Sequence, residues 1–130
     1  MSSNFISKYG NWALITGATS GIGAELTSQI AAKGINVVLV ARKEKELAEH
    51  AISIEERYGV KTISADLSTN ERVKKVTQIS KKIGLLVLAA GLEVNGAFEK
   101  NSIEKELQTI QLNVVATLAL THHFSKGMVE

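Results

Sequence analysis

Eight consecutive residues, Thr16-Gly17-Ala18-Thr19-Ser20-Gly21-Ile22-Gly23, constrain the fold more than any other stretch of the chain. They stand between an apolar run, Trp12 to Ile15, and a segment in which Ile22, Leu26 and Ile30 recur at helical spacing. A strand that passes through three glycines into a helix has a specific physical use. Gly17 permits a tight turn off the strand, Gly21 lets backbone N–H groups approach an anion, and Gly23 allows the helix to pack closely on the sheet. The helix N-terminus offers unpaired N–H groups and the positive end of a dipole, which suits a pyrophosphate. Thr19 and Ser20 add hydroxyl donors. Such a loop carries this meaning only inside a βαβ unit.

The rest of the chain supplies that setting. Asn36 to Val40 reads as a second strand, introduced by Gly34, and Val60 to Ala65 as a weaker, alternating third strand nearer the sheet edge. Leu85 to Ala89 is the fourth and most apolar. Strands one, two and four are almost continuously hydrophobic, as strands covered by helices on both faces are. Between them lie helical stripes: Leu47, Ala51, Ile54 and Tyr58, then Val73, Val76, Ile79 and Ile83. A fourth helix runs from about Ile103 to Lys126, and its middle, Ile110 to Leu120, is apolar nearly all round, which predicts burial on more than one side. Residues before Trp12 are polar and carry no element in this reading.

The predicted class is α/β, a Rossmann-type doubly wound parallel sheet. Residues 1–130 are expected to form a single dinucleotide-binding domain. A complete fold of this type has two βαβαβ halves with strand order 3-2-1-4-5-6. Here the pattern stops after the fourth strand and its helix, so the expectation is an incomplete domain.

Composition narrows the function classes. Aromatic residues make up only 5%, so the core is aliphatic, and a net charge of +2 spread along the chain gives no nucleic-acid footprint. The absence of cysteine excludes disulfides and thiolate metal sites, and the three histidines lack the spaced partners of a zinc site. His50 reads as a residue on or beside the solvent face. His122 and His123 point about 100° apart on a helix, so they cannot act as a pair on one face and suit a surface or subunit interface. The longest apolar run, Leu85 to Ala90, is far short of a membrane span, and Met1 to Gly10 lacks a signal-peptide core. A cytoplasmic protein is expected.

The end of strand two selects between dinucleotides. NAD-preferring folds place a carboxylate there, on the ribose 2′-hydroxyl. Ala41 takes that place here and Arg42 follows, with Lys43 behind it. A guanidinium holds a 2′-phosphate through bidentate, charge-assisted bonds. The sequence points to NADP rather than NAD. Arg42 also opens a charged helix, and both roles can hold together.

The Thr-Gly-x-x-x-Gly-x-Gly spacing of residues 16–23 resembles that of the short-chain dehydrogenases/reductases, and the likeness continues in order from about Trp12 to about Phe124. The resemblance implies an oxidoreductase that reduces a carbonyl or oxidises an alcohol on a small molecule. Under it, Asp66-Leu67-Ser68 is similar to the family element whose Asp accepts a hydrogen bond from the adenine amino group; an Asp after a strand also serves as a helix cap or turn residue. Leu88-Ala89-Ala90-Gly91 aligns with the family's Asn-Asn-Ala-Gly, matching at Ala90 and Gly91, while Leu88 and Ala89 replace both asparagines. The small Ala89-Ala90-Gly91 run still lets a nucleotide lie against the backbone. Asn113 resembles the helix asparagine that helps position a water linked to the catalytic lysine; it also reads as a polar residue tolerated in a packed helix.

The resemblance also implies a tyrosine acid/base with a lysine four positions on and a serine nearby. Tyr9 is followed four residues later by Ala13, and Tyr58 by Thr62, so neither makes Tyr-x-x-x-Lys. Two expectations follow. Either the chain is the cofactor-binding half of a reductase, inactive alone and prone to self-associate through its fourth helix or an open strand edge, or it is a non-catalytic nucleotide-binding or partner-binding half-domain.

Overall fold

The four apolar runs pair as parallel strands: β1 (Trp12–Thr16), β2 (Asn36–Val40), β3 (Thr62–Ala65) and β4 (Leu85–Leu88), in the order β3-β2-β1-β4. The computed structural model describes residues 2–65 and 69–130. Weakly alternating β3 takes one edge and β4 the other, with β1 central, where Ile15 is registered between Leu39 and Val87. All four strands point the same way, so their C-terminal ends gather along one rim. In open sheets of this kind ligands bind outside that rim, where the winding reverses.

Side-chain alternation divides the core between two layers. Ala13, Ile15, Val37 and Leu39 face α2 (Gly21–Ala31) and α3 (Glu44–Tyr58), meeting Ile30, Ala31, Leu47, Ala51 and Ile54. Leu14, Val38 and Val40 face the other way, onto Val73 and Val76 of α4 (Asn70–Thr77) and onto Leu112, Ala116, Leu120 and Phe124 of the last helix. Burial on both faces is why β1 and β2 read as unbroken hydrophobic runs.

Three sequence-based expectations change. Ile22 does not join the buried stripe of α2 but is 76% exposed; the buried residues are Gly23, Thr27, Ile30 and Ala31. The helix begins only at Gly21, and its inward face is set by the close approach of Gly23. Thr27 is fully buried with its hydroxyl donating to the Gly23 carbonyl at 2.7 Å. Residues Ser2–Tyr9, given no element from the sequence, form a helix, α1, whose Phe5, Ile6 and Tyr9 pack on the α2–α3 layer. It seats against Gly84, where a Cβ would lie 1.8 Å from the Tyr9 carbonyl oxygen.

The last helix differs most. It comprises α5 (Ile103–Ile110), a π-helical segment (Gln111–Ala116) and α6 (Thr117–Met128). One stripe is buried, but Ile103, Leu107, Ile110, Val114 and Leu118 lie on an exposed face, Leu118 at 68%. Burial on more than one side is therefore not met within this chain, because the sheet covers only one stripe of a helix. Among the described residues no helix is long and apolar enough to cross a membrane.

Candidate nucleotide-binding site

A cleft of about 260 Å³ opens at the strand C-termini, lined by the β1–α2 loop, the end of β2 and the segment after β4. It brings together Gly17, Thr19, Ser20, Arg42, Ala89, Ala90 and Gly91, which sequence reasoning had selected from three separate regions.

The floor is built by backbone approach. Gly17 has φ +63°, and a Cβ there would stand 2.8 Å from both the Ala89 carbonyl oxygen and the Ala90 nitrogen. No side chain fits, and the two loops therefore touch through main chain. Gly23 brings the helix start close to the sheet, as expected: a Cβ there would stand 3.3 Å from the carbonyl oxygen of Thr16 at the end of β1, and 2.0 Å from that of Gly17. Gly23 also admits the loop itself, folded back on the helix start. Thr16, 2% exposed at the end of β1, accepts a hydrogen bond on Oγ1 from the Ala90 N–H at 3.1 Å. The β1 and β4 rims are thus pinned together by a side chain that sequence reasoning quoted but gave no role.

The electrostatics favour an anion. Ser20 is the N-cap residue of α2, yet its side chain makes no capping hydrogen bond. The first-turn N–H groups of Gly21, Ile22 and Gly23 therefore keep their donor capacity and the dipole keeps its positive end. Gly21 has φ +53° with nothing within 4 Å of where a Cβ would be, so the turn is open on that side. The opposite wall carries exposed Arg42 and Lys43. Lys43 pairs with Glu46 at 3.0 Å, whereas Arg42 has no ion-pair partner among the described residues. Uncapped helix start, exposed guanidinium and main-chain floor fit the phosphates of a nucleotide.

Of the other predicted residues, Ile22 and Asn113 do not line the cleft. Ile22 lies exposed on the first turn of α2. Asp66 and Leu67 lie outside the described residues. Asn113 sits exposed in the π-helical segment, not enclosed among apolar neighbours; its Oδ1 accepts from the Leu92 N–H at 2.8 Å and its Nδ2 donates to the Leu92 carbonyl at 2.9 Å. The cleft also includes Ala41, the residue at the cofactor-selecting place, and Val40, Glu46 and Leu112, which sequence reasoning did not select. Leu112 was hidden because a helical leucine reads as core.

His50 lies beside the solvent face, half-buried on α3, and its Nε2 is enclosed with no hydrogen-bond partner among the described residues. Burial lowers the imidazole pKa below its ordinary value of 6.5.

The sequence model described as short chain dehydrogenase matches residues 11–130. The chain belongs to this family. It is similar to the very-long-chain 3-oxoacyl-CoA reductase of Laccaria bicolor, 38% identical over 97% of this chain and 40% of that protein. Similarity also extends to the 7beta-hydroxysteroid dehydrogenase of Collinsella aerofaciens, at 37% identity over 95% of this chain and 48% of the relative. The solved short-chain dehydrogenase from Sphingobium yanoikuyae in complex with NADPH superposes with a TM-score of 0.84, at 30% identity, over 91% of this chain and 48% of that one. The chain therefore spans less than half the length of these relatives. The family is one of oxidoreductases, and the strands and helices of this chain form the Rossmann-type α/β fold its members share.

Proposed function

We propose that this chain is the NADP(H)-holding part of an oxidoreductase that interconverts a carbonyl and an alcohol on a small molecule. The observation that carries the reading is the pairing, in one cleft, of an uncapped α2 N-terminus with Arg42 and no acid at position 41. The first-turn N–H groups of Gly21, Ile22 and Gly23, with the Thr19 and Ser20 hydroxyls, would bind the pyrophosphate. Arg42 would hold the 2′-phosphate, and a carboxylate at position 41 would repel it. Asp66 and Leu67 would meet the adenine, and Ala89, Ala90 and Gly91 would give the nucleotide a flat, small-residue wall. A bound dinucleotide supplies hydride-transfer chemistry. Asn113, by holding Leu92, would fix the segment after β4 where the reacting groups meet.

These residues bind and orient, and none of them completes a Tyr-x-x-x-Lys pair. In a second reading, residues 1–130 bind nucleotide and carry out no turnover by themselves. In either case we assign it to the cytoplasm and expect self-association through the exposed face of α5–α6 or the free edge of β4.

Calorimetric titration with NADPH and NADH tests the assignment. NADPH should bind at least about tenfold more tightly, and Arg42→Ala should erase most of that difference. Equal affinity for both, or binding of neither, would overturn it. NADPH oxidation by the chain alone with any of a panel of carbonyls would refute the binding-only role.

A further inference from the structure

A second cleft, of about 570 Å³, adjoins the first and shares Arg42 with it. Its other cations are Lys100, just after Phe98, and Lys105 in the first turn of α5. None of the three has an ion-pair partner among the described residues, where the one such pair is Lys43–Glu46. One carboxylate, Glu93, lines the same space. Of the nearby α5 acids, Glu106 is engaged by the Asn101 amide at 2.9 Å. Asn95 and Gln108 line the cleft with side-chain amides that make no hydrogen bond among the described residues. Three unneutralised cations and two free amides around one concavity form an excess of donors, and the volume lies within the range of small-molecule sites.

Phosphate chemistry matches this set. A phosphate monoester presents three acceptor oxygens and close to two negative charges, suited to an Arg fork flanked by ammonium groups. Arg42, belonging to both clefts, sets the new site beside the ribose end of the proposed cofactor site.

We infer that Arg42, Lys100 and Lys105 form a phosphate-binding subsite continuous with the nucleotide cleft. This rests on the NADP(H) reading only for its position. The phosphate comes either from the 2′-position of the dinucleotide or from a separate phosphate-bearing ligand, such as a coenzyme A carrier.

Calorimetry on Lys100→Ala, Lys105→Ala and the double variant tests it, with exposed Lys126→Ala as a control for net charge. Probes are NADPH, NADH, and coenzyme A added to NADPH-saturated protein. If the cofactor is the source, NADPH affinity falls about three- to fivefold per lysine, NADH affinity stays unchanged, and Lys→Arg at either position restores binding. If a separate ligand is the source, coenzyme A binding falls by that factor while NADPH affinity holds. Either loss should shrink as salt rises. Variants that bind all three probes as the wild type does, or that match Lys126→Ala, overturn the subsite. Should the wild type bind neither dinucleotide, the NADP(H) reading fails, while coenzyme A binding to the free chain and its loss in the lysine variants still decides the subsite.

Discussion

Asn113 and Leu92 are joined by two hydrogen bonds of opposite sense, the amide accepting from the Leu92 N–H at 2.8 Å and donating to its carbonyl at 2.9 Å. The side chain thereby pairs with that backbone as a neighbouring strand would, although the chain has already left β4. Asn113→Ala should cost about 1–2 kcal/mol, since each net hydrogen bond contributes about 1. Urea denaturation reads the loss. Amide exchange at Leu92 should accelerate more than at strand positions, and unchanged protection there would contradict the clamp.

Thr16 predicts a second effect. Its buried hydroxyl is the acceptor for the Ala90 N–H. Thr16→Val keeps the shape but strands that donor, and should destabilise by about 1–3 kcal/mol. Thr16→Ser, which retains the oxygen, should lose less. A valine variant as stable as the serine one would show that the bond contributes nothing.

The glycines of the loop separate conformational cost from steric cost. Gly21 needs a positive φ in open space, so Gly21→Ala should cost about 1 kcal/mol. Gly17 needs the same conformation and also contact with Ala89 and Ala90, so Gly17→Ala should cost about 2–4 kcal/mol. Equal losses in chemical denaturation would mean the two loops do not touch.

The fold and much of the cleft were legible because their signals are local. β2 runs over residues 36–40 in sequence and structure alike, since Asn-Val-Val-Leu-Val is bounded by a glycine-led turn and by charge. Gly17, Arg42 and Ala90 could be placed in one cleft because strand C-termini share a rim. Less was legible where a role depends on distant backbone. Nothing near Thr16 in the chain announces Ala90, 74 residues away. Helix α1 is eight residues long, too short for periodicity to stand out. The π-helical turn has no compositional mark, and Ile110 to Leu120 looks equally apolar whether its second face is covered or bare.

His50 gives the pH prediction. Its folded pKa is lowered by burial from 6.5, so below that pH the unfolded chain binds protons that the folded chain resists. Stability should fall as pH drops from about 6.5 through the lower folded value, then cease to change on this account. His50→Gln should flatten that segment of the profile in melts taken between neutral and mildly acidic pH. An unchanged slope would assign it to other groups.

The exposed stripe on α5–α6 supports the proposed self-association. Leu118→Glu, at a 68% exposed position, should leave the protomer's fold stability within about 0.5 kcal/mol while lowering the apparent mass in sedimentation. A wild type that already sediments as a monomer at high concentration would remove the proposal.

The parallel register of β1 with β4 has a consequence for how the cleft comes into being. Ala13 pairs with Leu85, a contact between distant parts of the chain, whereas its other neighbour, Val37, is reached through a single helical crossover. Closing the longer loop costs more chain entropy, and such contacts slow folding. A partly folded chain holding only the β1-α2-β2 unit would own the glycine loop but lack the Ala89–Gly91 wall. Nucleotide bound to the completed cleft would therefore act as a latch on β4, retarding exchange along Leu85–Leu88 far more than along β2.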